Sequence, residues 1–188
     1  FCYRIADGAM ITVQGTPKPT LTLQAGTVIK FWNIPSNPVT YFQPGGITIG
    51  GSGSTDSGNI VADGVTFTSV RDDTLGDTNG DGTTTSPAAG NWDGITFKSS
   101  ADSGSTISNC LIRYPGTSGG GIFIQMSSPH ILNNTIASVS NPGIVIEGSL
   151  PQVSNNTIVS SSFSGIKVSG VGQVTQIRNN TIVRTTSD

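Results

Sequence analysis

The chain has 188 residues, of which 11% are charged, a formal net charge of -2 and a single glutamate, Glu147. That length suits one domain with a sizeable core. The absence of a basic patch excludes nucleic acid as an expected partner, and no apolar run is long enough for a membrane span. Glycine, serine, threonine and asparagine are abundant, which is poor for helices, good for short strands and turns, and suits an extracellular or cell-surface setting.

The chain opens on Phe1 rather than Met, as a processed form or fragment would. Residues 1–19 read as an N-terminal strand or cap, with Met10–Val13 as the strand. Phe1, Cys2 and Tyr3 either cap the body or pack on another subunit. Cys2 and Cys110 are the only cysteines. They form one disulfide tying this segment to the body, or stand as two buried thiols. In TLTLQAGTVIKF, residues 20–31, Leu21, Leu23, Val28 and Ile29 are core candidates and Gly26 turns the chain. Residues 32–44 read as a loop with Pro35, Pro38 and Pro44, and with Trp32, Tyr41 and Phe42 expected to be exposed. GGITIG, residues 45–50, opens a unit that residues 60–70 complete.

Residues 71–92, RDDTLGDTNGDGTTTSPAAGNW, break the pattern and read as an inserted polar loop. Such insertions fall at turns and often carry function. Asp77, Asn79, Asp81 and Thr83 follow the first half of a calcium loop, D-x-N-x-D-G-x, with Gly82 permitting the bend. The twelfth position is Ala88, not a bidentate Glu, so Asp72, Asp73 or Asp93 would have to supply missing oxygens. The alternatives are calcium that rigidifies the loop and a solvated polar turn.

Residues 94–184 repeat themselves. Gly94-Ile95-Thr96-Phe97 resumes the pattern, and ISNCLI at 107–112 aligns with ILNNTI at 131–136. Asn109 then matches Asn133, and Cys110 takes the second asparagine's place. Three copies open on Gly121, Gly143 and Gly165, carry Asn133-Asn134, Asn155-Asn156 and Asn179-Asn180, and continue with Ile136, Ile158 and Ile182. Each holds three short β-branched or alternating runs, 144–146, 152–154 and 157–159 in the second copy. Three strands and three turns in 22 residues make one coil of a solenoid, stable only when stacked on its neighbours. Ile122, Ile144 and Ile166 form one inward column; Ile124, Ile146 and Val168 form the next. The asparagine pairs sit at a turn where one residue takes a left-handed conformation. Their amides can bond from coil to coil as a ladder.

The run G-I-x-I, x-P-x-I, N-N-x-I resembles the right-handed parallel β-helix family, specifically over residues 91–184 and more loosely before them. That family includes pectate lyases, other polysaccharide-acting enzymes, phage tailspikes and bacterial surface proteins. Residues 20–31 resemble the opening coil of the surface-protein type. The resemblance implies an all-β, right-handed parallel β-helix solenoid, one domain over 1–188, with about seven three-strand coils and one long inserted loop. At about 4.8 Å per coil the stack would be about 30–35 Å tall.

Lyases and epimerases of this fold use acidic calcium ligands with a Lys or Arg base beside the first strand. The outward row there is Thr48, Thr96, Phe123, Val145 and Lys167, with no carboxylate, whereas glycoside hydrolysis needs two. Glu147 and Lys167 read as a surface ion pair. His130 stands at a variable structural position, and no G-x-S-x-G elbow occurs. Catalysis is therefore not expected, and a polysaccharide lyase or epimerase is the alternative. Asn133, Asn155 and Asn179 each begin an N-x-T sequon; the repeat alone explains them, and they are the candidate glycosylation sites. Thr135, Thr157 and Thr181 recur on an otherwise uneven face, which argues against ice binding.

The last repeat runs to Arg184 without a capping helix, leaving sheet edges that copies of the chain could cover head to tail. Phe1, Tyr3, Phe123, Val145 and Arg184 are the candidate interface residues. The expectation is an extracellular structural protein, either a filament subunit or a module of a surface protein or adhesin. The alternative is a carbohydrate-binding or carbohydrate-processing domain, suggested by Trp32, Tyr41, Phe42 and Phe123.

Overall fold

Strands of three to five residues follow one another along the chain. The structure, a computed structural model, describes residues 1–6, 8–32, 45–53, 55–117, 119–170 and 176–183. After β1 (Cys2–Ile5) come β2 (Met10–Val13), β3 (Thr20–Leu23) and β4 (Val28–Phe31). Then come β5 (Gly46–Ile49), β6 (Asn59–Asp63), β7 (Thr66–Ser69), β8 (Ile95–Phe97), β9 (Thr106–Ser108) and β10 (Leu111–Arg113). The regular repeats give β11 (Ile122–Gln125), β12 (His130–Leu132), β13 (Thr135–Val139), β14 (Ile144–Glu147), β15 (Gln152–Ser154) and β16 (Thr157–Ser161). The last described coil is β17 (Ile166–Ser169), β18 (Gln176–Arg178) and β19 (Thr181–Val183).

Every third strand joins the same sheet. Sheet A is β1-β4-β7-β10-β13-β16-β19, sheet B is β2-β5-β8-β11-β14-β17 and sheet C is β3-β6-β9-β12-β15-β18. All the pairings are parallel. The described residues therefore make six full coils and one further strand, close to the seven expected. Residues 1–5, expected to include a cap, contain the strand β1, whose Tyr3 lies opposite Ile29.

Register stacks like on like. Ile47, Ile95, Ile122, Ile144 and Ile166 form one column, and Ile29, Phe67, Ile112, Ile136, Ile158 and Ile182 another. Most of these side chains are wholly buried, each contributing about 1.5–3 kcal/mol. The glycine that opens each copy is required by close approach. A Cβ on Gly143 would lie 2.6 Å from Ile158 Cγ2 and 2.7 Å from the Gly165 carbonyl oxygen. Trp92, grouped with the polar insertion by sequence, belongs to the core. It is fully buried and stacks on Phe31 at 4.4 Å between ring centroids, and its Nε1–H donates to the Arg113 carbonyl.

Corners between sheets C and A are two residues long from β6 onward. The first residue is left-handed in each: Gly64, Asn109, Asn133, Asn155 and Asn179, with φ between 53° and 62°. The second points inward: Val65, Cys110, Asn134, Asn156 and Asn180. Only this second asparagine builds the ladder. Asn134 Nδ2 donates to Asn156 Oδ1 at 2.9 Å, and Asn156 Nδ2 to Asn180 Oδ1 at 3.0 Å. Each amide also donates to a carbonyl of the preceding coil, Ile107, Ile131 and Val153 in turn. Asn133, Asn155 and Asn179, expected in the ladder, instead are exposed and form the turn. Cys110 ends the ladder: its N–H donates to Asn134 Oδ1, and its Sγ lies 3.7 Å from the Ala62 carbonyl, the counterpart of the Ile107 contact.

The expected disulfide is absent. Cys2 and Cys110 are both free, Cys2 exposed and Cys110 buried. One begins β1 and the other precedes β10, three rungs of about 4.8 Å apart in sheet A. That exceeds disulfide reach. Burial is the main cause that pushes the Cys110 thiol up to about 11.

Candidate functional site

The two longest connections both join sheet A to sheet B. Between sheets A and B the chain takes four residues at 6–9, 140–143 and 162–165, but fourteen at 32–45, twenty-five at 70–94 and eight at 114–121. Tyr41 and Phe42 lie outside the described residues, as does Arg184. Trp32 is half-buried rather than exposed, with the Arg4 guanidinium 5.1 Å from its ring centroid.

The start of the longest connection folds back over the outer face of sheet A as a strap. Alternation makes Lys30 and Thr68 face outward, yet both are fully buried because the strap covers them. Lys30 Nζ donates to the carbonyls of Asp72, at 2.8 Å, and Gly76, which bracket a single 3-10 turn, Asp73–Leu75. The buried Asp72 carboxylate accepts from Thr68 Oγ1 at 2.7 Å and pairs with Arg113 Nη2 at 2.9 Å. Farther along, Arg4 Nη1 donates to the Thr78 carbonyl at 2.9 Å. The strap thus holds side chains from β1, β4, β7 and β10.

On its outer side three acids converge. Asp73, Asp77 and Asp81 each bring a carboxylate oxygen within 4.8 Å of the others. Asp77 accepts the N–H groups of Gly82 and Gly80 at 2.9 and 2.7 Å. These bonds, that of Gly82 foremost, hold its carboxyl below the usual carboxylate range. Asp73 moves the other way: burial first, then the charges on Asp77 and Asp81, raise its pKa. One oxygen each of Asp73 and Asp81 (Oδ1) is buried without a hydrogen-bond partner.

Of the sequence candidates, Asp77 and Asp81 join this cluster. Asn79 turns its amide onto the loop, donating to Thr85 Oγ1 at 3.2 Å, and Thr83 is exposed. Among the proposed completing acids Asp73 joins, Asp72 is committed to the strap, and Asp93 is not in the cluster. The set offers several hard oxygens on a tight turn, the chemistry that suits calcium. Asp73, upstream of the motif, brings a third carboxylate to those of Asp77 and Asp81.

The outward row of sheet B is in register as Thr12, Thr48, Thr96, Phe123, Val145 and Lys167. Val145, a candidate interface residue, is only 6% exposed, and Phe123 is half-buried. With Asn141, Pro142, Glu147 and Lys167 they line a shallow groove of about 200 Å³. Glu147 and Lys167 share it as diagonal neighbours, Lys167 opposite Val145 and Glu147 opposite Ser169, without forming the expected ion pair. His130 is exposed on sheet C between Thr106 and Gln152. Phe1 is 94% exposed and Tyr3 54%.

The family described as right handed beta helix region matches residues 30–186. The chain belongs to that family. No curated protein and no solved structure matches it. In this β-helix the family match spans the strap, the acidic loop, the groove and the ladder alike. No helix among its described residues is long and apolar enough to cross a membrane.

Proposed function

We propose that this β-helix is a structural, non-catalytic module of an extracellular surface protein or adhesin, with calcium stiffening its inserted loop. The observation that carries the reading is where the acids sit. Three carboxylates converge on a loop strapped to sheet A, while the outward row of sheet B offers hydroxyls, an aromatic ring, an aliphatic side chain and one cation. Acid–base cleavage needs two suitable groups flanking the scissile bond. The low-charge composition supports the extracellular setting. Val168 and Ile182, 39% and 48% exposed in the last described coil, suit a further coil laid on β17–β19, from a longer chain or from a second copy.

Calorimetric titration with calcium, run beside a polysaccharide cleavage assay and light scattering, tests the reading. Saturable calcium binding abolished by Asp77→Asn, with no cleavage, is expected. Turnover of a uronic-acid polymer would overturn the structural role, and lack of calcium binding would overturn the stiffening. Concentration-dependent growth in mass, with filaments in negative-stain microscopy, would assign the end coil to copies of the chain. The groove favours a second reading, carbohydrate binding, because a ring, an amide, an acid and a cation meet there. A glycan array that gives hits lost in Phe123→Ala would establish it.

A further inference from the structure

We propose that Lys30 is a built-in cation that positions the strap, so that the acidic loop is assembled before any metal arrives. The proposal deepens the calcium reading and depends on it only for the metal that binds once the strap is in place. A fully buried lysine is rare unless its charge is matched. Here the ammonium takes the carbonyls of Asp72 and Gly76, the two residues flanking the Asp73–Leu75 turn. Carbonyl oxygens around a cation are what a metal would otherwise gather. Lys30 thereby fixes the backbone from which the Asp73 carboxylate reaches Asp77 and Asp81.

The rest of the strap is consistent with this role. Asp72 is anchored separately by Thr68, Thr74 and Arg113, and Gly76 N–H closes the turn on the Asp73 carbonyl at 3.1 Å. None of these contacts uses the outward oxygens of the cluster, so the strap needs no metal to close. The fastening also reaches β1, through Arg4 and the Thr78 carbonyl. Lys30 is a positioning residue: it leaves the cluster's outer side free and sets its geometry from beneath.

Hydrogen exchange on the wild-type chain, in chelator and in calcium, tests this without any variant. Residues 70–78 should exchange at least about tenfold more slowly than an unstructured peptide in chelator, with calcium adding protection mainly over 79–86. Unprotected exchange of 70–78 in chelator would overturn the proposal. Calcium without effect on either segment would overturn the calcium reading and leave the strap standing. Lys30→Met gives the converse: proteolytic cleavage within 71–92 in chelator, suppressed by calcium, with sheet circular dichroism retained. A Lys30→Met loop as resistant as wild type in chelator would refute the positioning role.

Discussion

Replacing Asn156 by alanine interrupts the ladder at its middle rung. Its amide accepts from Asn134 N–H and Asn134 Nδ2, both at 2.9 Å, and donates to the Ile131 carbonyl and Asn180 Oδ1 at 2.9 and 3.0 Å. Asn156→Ala deprives two buried donors of Asn134 of their acceptor and the Ile131 carbonyl of a donor. At about 1–3 kcal/mol for each buried group left short of a partner, and with some relaxation, the loss is about 3–6 kcal/mol. Asn155, one residue earlier, is the control. It is exposed at φ 57°, where glycine is comfortable, so Asn155→Gly should change stability by about 1 kcal/mol or less. Urea denaturation followed by far-UV circular dichroism measures both. Equal costs, or Asn156→Ala within about 1 kcal/mol of wild type, would refute the division of labour between turn and ladder.

Cys2 should react at once with a thiol reagent in the native protein, whereas Cys110, buried and shifted to about 11, should react only on unfolding; two equally fast thiols in Ellman's assay would contradict this. The hydrogen bond from Lys18 lowers the Asp102 pKa, so the pair's stabilisation is complete above the unfolded carboxylate range and lost as pH falls through the lowered folded value. Both side chains are partly exposed, so Asp102→Asn should cost at most about 1 kcal/mol at neutral pH and nothing in acid, read as converging melting temperatures. Gly143→Ala forces a Cβ against Ile158 and the Gly165 carbonyl and should cost about 1–3 kcal/mol, with a lowered melting temperature as the readout.

The solenoid was legible wherever one coil resembled the next. Spacing alone predicted the isoleucine columns, the Gly-Ile openings and the asparagine corners, because stacking forces like residues to meet. The rest depended on contacts that spacing does not encode. Trp92 ends a polar run, and only the coil above shows it the face of Phe31. Lys30 alternates outward and is buried by a segment some forty residues downstream. Asp73 lies before the calcium-like motif and reaches it through a turn the motif does not contain. The two cysteines suggested a bridge because sequence distance does not state rung number. The paired asparagines looked equivalent, although φ gives each a separate task.

The ladder amides all point the same way: each Nδ2 faces the Oδ1 of the next rung. Their dipoles therefore add along the axis, and each polarises its neighbour. The interior carries an electrical direction, with its donor end at Asn180 and its acceptor end met by the Cys110 N–H. A half-turn of one amide about its Cβ–Cγ bond would set like poles face to face. Three side chains thus give the axis a sense that the neutral isoleucine columns beside them lack.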